Sequence, residues 1–93
     1  MNQKESRKRK RFVFYGRVQG VGFRYRACHA AAHLGLTGWV KNEWDDTVAM
    51  EVQGDEAAIR KMIDMIAQGN FISIERMEER EIPLEKESGF RVK

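Results

Sequence analysis

The spacing of apolar positions changes repeatedly along the chain, and each change marks an element. Residues 11–18 read RFVFYGRV, a run of aromatic and β-branched side chains that predicts a first strand. Gly16 interrupts it where a bulge or a close backbone approach would sit. From Phe23 the period lengthens. Phe23, Ala27, Ala30 and Leu34 share one face at helical spacing with Ala31 beside them, and Gly35 suits a left-handed C-terminal cap. With alanines in the middle of its stripe, this helix is expected to approach its sheet closely.

Residues 36–42 predict a second strand, 43–46 a turn, and 47–53 a third strand in which Val48, Met50 and Val52 alternate with Ala49, Glu51 and Gln53. The two strands form a hairpin. Asp55 is the expected N-cap of a second helix, with Glu56 in its first turn and a stripe of Ile59, Met62, Ile63 and Ile66 ended by Gly69. A fourth strand is read over 71–77. The acidic segment 78–87 contains Pro83 and is expected to be an exposed connection or a ragged edge. Phe90 and Val92 predict a short final strand. The order is β-α-β-β-α-β with a small extra strand, an α/β (α+β) sandwich in which two helices cover one face of an antiparallel sheet.

Ninety-three residues support one hydrophobic core. No apolar run approaches the roughly 18 residues of a membrane span and the N-terminus has no signal-peptide pattern, so a cytosolic protein with no membrane partner is expected. Cys28 is the single cysteine, which excludes an intrachain disulfide and a thiolate zinc site. Charge is unevenly placed: residues 1–26 carry nine basic side chains against Glu5 alone, and the remainder is acidic. Residues 1–11 therefore read as a basic, flexible arm ahead of a domain at 12–93. Such an arm offers weak, non-specific contact with nucleic acid, and its field would draw a small anion toward the loop that follows.

That loop is the most informative stretch. In residues 16–24, GRVQGVGFR, Gly20 and Gly22 let successive amides converge, and the helix start near Phe23 adds its unpaired N–H groups and positive end. Arg24, in the first helical turn, is disfavoured by the helix dipole unless an anion offsets it, and its fork grips two phosphoryl oxygens together. Two readings stand at this point: a phosphate cradle, or a tight turn whose glycines allow the helix to pack. A nucleotide loop is excluded, since no Gly-Lys-Ser/Thr follows, and the glycine spacing fails the dinucleotide fingerprint.

The stretch GRVQGVGFR at 16–24, together with GWVKN at 38–42 followed by a turn and a valine-led strand, resembles the two signatures of the acylphosphatases. The resemblance runs from about Phe12 to Val92 and agrees with that family's ferredoxin-like sandwich. It implies that Arg24 binds the phosphate of an acyl phosphate, that the amides of Gln19, Gly20, Val21, Gly22 and Phe23 complete the cradle, and that Asn42 orients the attacking water. It implies a small acyl phosphate as substrate, a carboxylate and inorganic phosphate as products, and neither metal nor cofactor. Such a substrate already carries a good leaving group, so positioning and charge stabilisation suffice, and Asn42 is no base at any relevant pH. The family commonly has Asp-Gly in the hairpin turn, where this chain has Asp45-Asp46. Asp46 is expected at positive φ, at a cost of roughly 1 kcal/mol.

Other groups are read as structural. His29 and His33 lie four apart on one side of the first helix without a third ligand, Cys28 packs as a small hydrophobe, and Met50, Met62, Met65 and Met77 fill core or flank positions. Trp44 either lines the substrate mouth or covers an edge of the core. Two competing functions remain. A nucleic-acid-binding module shares the element order, but Val48 to Val52 carries no aromatic residue of the kind that stacks on bases. A non-catalytic anion-binding domain would have no need of Asn42. A monomer is expected, because no second hydrophobic face is evident.

Overall fold

The computed structural model describes residues 6–93. Its elements are β1 (Arg7–Arg17), α1 (Phe23–Leu34), β2 (Thr37–Asn42), β3 (Val48–Asp55), α2 (Glu56–Ala67), β4 (Ser73–Ile82) and β5 (Phe90–Val92). The five strands form one sheet in the order β4-β1-β3-β2-β5. β1 pairs antiparallel with β3 and β4, and β2 antiparallel with β3; β5 alone is parallel, beside β2. This is the expected ferredoxin-like sandwich with one parallel pairing added at its edge.

Alternation builds the core. Phe12 and Phe14 of β1, Val40 of β2 and Val48, Met50 and Val52 of β3 share one sheet face, where they meet Phe23, Ala27, Ala30 and Ala31 of α1 and Ile59, Met62 and Ile66 of α2. The Phe14 ring packs on Phe23 at 4.9 Å between centroids. A strand that ends in the site is thereby fixed to the first residue of the helix that begins there. Asp55 caps α2 by accepting from the Ala57 amide at 2.9 Å. The helix ends at Ala67 with Gln68 as its C-cap, slightly before Gly69.

Two expectations at the charged ends of strands need correction. β1 starts at Arg7, not Arg11, so residues 7–11 are strand where an arm was expected; residues 1–5 of that arm lie outside the described residues. The reason is charge pairing across the sheet. Arg9 is 1% exposed and bonds Glu51 and Glu87, Lys10 bonds Glu56 at 3.1 Å and Glu79 at 2.6 Å, and Arg11 reaches Glu51. The basic front of the chain is a strand because the acidic back folds against it. For the same reason β4 continues through Glu78 to Ile82 and stops at Pro83.

Residues 83–89 then cross the outer, helix-free face. Gln53 holds them by donating from Nε2 to the Glu85 carbonyl and accepting from the Glu85 amide, both at 2.9 Å. Arg9 holds Glu87 at 2.7 Å. This strap delivers β5 to the edge of β2, and the Lys93 amide donates to the Val40 carbonyl at 2.9 Å.

Candidate active site

The site forms where β1, β2 and α1 converge. At the end of β1 the register against β4 shifts between Tyr15 and Gly16. A β-carbon on Gly16 would collide with the Ser73 carbonyl oxygen, so glycine is required for the two backbones to meet. In the loop beyond, Gly20 has φ 72° and Gly22 has φ 85°, both left-handed. A β-carbon at either would meet nothing, so their role is conformational. Gly22 is the N-cap of α1 and supplies no side-chain acceptor, and the first turn contains no acid. The positive end of α1 is therefore left for an external anion.

Arg24 stands in that turn, exposed, with no hydrogen-bond or ion-pair partner among the described residues. Its charge reaches one turn further: burial pushes the Cys28 thiol up from its ordinary value, with Arg24 acting in the opposite direction. The net effect disfavours the Cys28 thiolate.

Asn42 is the last residue of β2, paired with Val48, and shares the helix-covered side of the strand with Val40. Its Oδ1 is shielded from solvent and has no partner among the described residues. Such a buried acceptor costs about 1–3 kcal/mol when left unpaired, which marks a group kept for something other than stability. Val18, Gly20, Gly22, Phe23, Arg24, Tyr25, Asn42 and Val92 line one cleft.

The loop and the strand that bear these groups are tied together by a side chain. Gln19 Nε2 donates to the carbonyls of Glu43 and Thr47, both at 2.8 Å, while the Glu43 amide closes the hairpin on Thr47 at 2.9 Å. Asp45 accepts from the Thr47 hydroxyl at 2.6 Å and the Thr47 amide at 3.2 Å, and the first of these bonds chiefly holds its carboxyl below the usual range. Asp46 has φ 73°, the one left-handed non-glycine among the described residues.

Of the residues singled out from the sequence, Gly20, Gly22, Phe23, Arg24 and Asn42 are brought to the cleft. Val21 packs against the core, and the Gln19 side chain turns to the hairpin. Trp44 is 93% exposed, so it covers no edge of the core. Sequence reasoning missed Tyr25, Val92 and the Gln19 latch. Tyr25 was signalled only by its place beside Arg24; Val92 reaches the site through a parallel pairing that no local pattern announces. Among the described residues no three His, Cys, Asp or Glu side chains gather as a metal site, and no helix is long and apolar enough to cross a membrane.

Comparison with known proteins agrees on one family. The Acylphosphatase family model matches residues 10–92. An acylphosphatase of Geobacillus thermodenitrificans is 48% identical over 91% of this chain and 93% of its own. One from Geobacillus kaustophilus is 52% identical over 75% of this chain and 76% of its own. The structure of an acylphosphatase from Coxiella burnetii superposes with a TM-score of 0.86 at 33% identity, covering 100% of both chains.

Proposed function

The chain belongs to the acylphosphatase family and hydrolyses acyl phosphates to a carboxylate and inorganic phosphate, and we propose that Arg24, the amides of Gln19 to Phe23 and Asn42 carry that reaction. The observation that supports this assignment is the meeting, in one cleft, of two side chains from different elements that spend no hydrogen bond on the protein among the described residues. The left-handed glycines and the open start of α1 offer N–H donors to the phosphoryl oxygens, and Arg24 grips two of them. As the phosphoryl group flattens, charge spreads over its equatorial oxygens, where fixed donors lower the barrier.

Asn42 offers both an acceptor and a donor to a water held in line with the scissile bond. That water's oxygen bonds to phosphorus as the bond from phosphorus to the acyl oxygen breaks, and the carboxylate leaves with the electron pair. The water proton passes to a phosphate oxygen or to solvent, because Asn42 cannot take it. The catalytic domain on this reading includes β1 from Arg7 and so encloses the family match at 10–92, and it acts without metal or cofactor. It works as a monomer, since both helices commit their apolar stripes to one core. Its free Cys28 suits the reducing cytosol.

The test is hydrolysis of benzoyl phosphate in the presence of EDTA by the wild type, Arg24→Ala and Asn42→Ala, with circular dichroism to show that each is folded. Each variant is expected to lose about 10²–10³-fold in kcat, the scale of a removed transition-state donor. A folded Arg24→Ala protein with wild-type kcat/KM would remove the assignment.

A further inference from the structure

Arg24 is not the only cation in the first turn of α1. Arg26 follows it there, and the turn contains no acid to offset either charge. The two are compensated differently. Arg24 has no hydrogen-bond or ion-pair partner among the described residues, whereas the half-buried Arg26 reaches across to α2 and donates to the Met65 carbonyl, from Nε at 3.2 Å and from Nη2 at 2.8 Å.

The carbonyl that Arg26 takes is one that the end of α2 leaves open. In a continuing helix the Gly69 amide would close on Met65; here it closes on Ile66 at 3.1 Å, and the helix stops at Ala67. The negative end of α2 thus receives a guanidinium, which favours both groups. Gly69 makes room for it: a β-carbon there would come within 2.8 Å of the Arg26 Cδ and 2.7 Å of the Ile72 Cδ1. Gly69 is not among the left-handed glycines, so clearance is what its missing side chain provides.

Arg26 is also joined to the phosphate end of the cleft, through its backbone. Its amide donates to the Gly22 carbonyl at 3.0 Å and closes the turn from which the loop amides and Arg24 reach the phosphate. Phe23 holds that turn to β1 through Phe14, which leaves Arg26 to hold it to α2. Building on the reading of the site given above, we propose that Arg26 is a positioning residue of the phosphate cradle: its clamp on the end of α2, with the clearance at Gly69, fixes the direction in which the start of α1 points its donors. A tilt of the turn moves Arg24 and the loop amides together relative to Asn42, which stands on β2, and in-line transfer is sensitive to such displacement.

The experiment measures kcat and KM for benzoyl phosphate, and competitive inhibition by inorganic phosphate, well below each protein's thermal midpoint. It uses the wild type, Arg26→Met, Arg26→Lys, Gly69→Ala and the double variant Arg26→Met with Gly69→Ala. Arg26→Met keeps an apolar stem and loses the donors; kcat/KM is expected to fall about tenfold and the inhibition constant for phosphate to rise about fivefold. Arg26→Lys, which can place one ammonium at Met65, is expected to stay within about threefold of wild type in both. Gly69→Ala keeps the charge but crowds the guanidinium, and is expected to raise the inhibition constant about twofold, an effect absent in the double variant, where no clamp is left to disturb. A folded Arg26→Met protein with a lowered thermal midpoint and a wild-type inhibition constant would make Arg26 a stabilising residue only and overturn the proposal. So would an unchanged constant in Gly69→Ala, since charge alone would then account for the loss in Arg26→Met. Wild-type kcat/KM in a folded Arg24→Ala protein would instead remove the reading of the site on which the clamp rests.

Discussion

Arg9 and Arg24 stand near the two ends of the segment formed by β1 and its loop, and they are surrounded in opposite ways. Arg9 lies on the outer face with Glu51 at 3.0 Å and Glu87 at 2.7 Å, and it also reaches Gln53 and Glu85. Burial is the largest single influence and works against its charge, but the hydrogen bonds that Arg9 donates to Glu87 and Glu51, together with the charges of Glu87 and Glu85, outweigh it and raise its pKa. Arg24 is exposed at the positive end of α1 without a partner among the described residues. A cation whose compensation is all internal holds the fold together; one whose compensation is missing at a helix start waits for an anion from outside.

Substitution should separate the two roles. Arg24→Ala is expected to abolish most turnover, as above, with a thermal midpoint close to wild type or above it, because an unfavourable charge at the helix start is removed. Arg9→Ala should do the reverse. With the half-buried Glu51 left to Arg11 alone and Glu87 to the more distant Arg91, stability is expected to fall by about 3 kcal/mol in urea unfolding, while protein that remains folded keeps its KM for benzoyl phosphate. Equal losses of stability in the two variants would erase the distinction.

Gln19 tests whether the site end depends on internal ties as well. Its two bonds to Glu43 and Thr47 connect the phosphate loop to the hairpin that follows Asn42. Gln19→Ala is expected to cost about 1 kcal/mol of stability from the lost bonds. The larger effect is on kcat, about tenfold, since a small displacement of the water relative to phosphorus is costly, with inhibition by inorganic phosphate nearly unchanged. A loss confined to stability would show that loop and hairpin keep their spacing without the latch.

Most of the fold was legible from periodicity because each helix has one stripe and the central strands alternate. The chemical loop was legible as well, since Gly20, Gly22 and Arg24 are contiguous and their residue types restrict what the backbone can do. What stayed hidden was non-local. Arg7 to Arg11 read as a solvated arm because the acids that bury Arg9 and Lys10, from Glu51 to Glu87, are far away in the chain. Val92 belongs to the site only because Pro83 ends β4 and a strap crosses the outer face to set β5 beside β2. Charged strands carry no hydrophobic signal, so their place is set by partners that a local window does not contain.

The ion pairs at the far end also carry a pH signature. Hydrogen bonds to Glu79 and Glu56 raise the pKa of Lys10, and the bond from Lys10 lowers that of Glu56. The raised lysine contributes stability fully below its unfolded value of 10.5 and loses it as pH rises through the higher folded value. The lowered glutamate contributes above 4.5 and loses that as pH falls through its lower folded value. Lys10→Met is therefore expected to reduce Tm most between pH 5 and 10, with the difference from wild type shrinking at pH 3. A difference as large at pH 3 as at pH 7 would mean that packing of the lysine stem, not its charge, matters.

The smallest expected effect lies in the hairpin turn. Asp46 holds φ 73° where an L-residue is strained, while its neighbour Asp45 fixes the turn through both bonds to Thr47. Asp46→Gly removes the strain but adds freedom to the unfolded chain, so the net gain is expected to be about 0.5 kcal/mol in urea unfolding. Because the Gln19 latch grips the carbonyls of Glu43 and Thr47 rather than Asp46, turnover of benzoyl phosphate should stay within about twofold of wild type. A gain in stability accompanied by a clear fall in kcat would show that the strained turn itself sets the position of Asn42, and would place part of the site's precision in the one left-handed aspartate instead of in the latch.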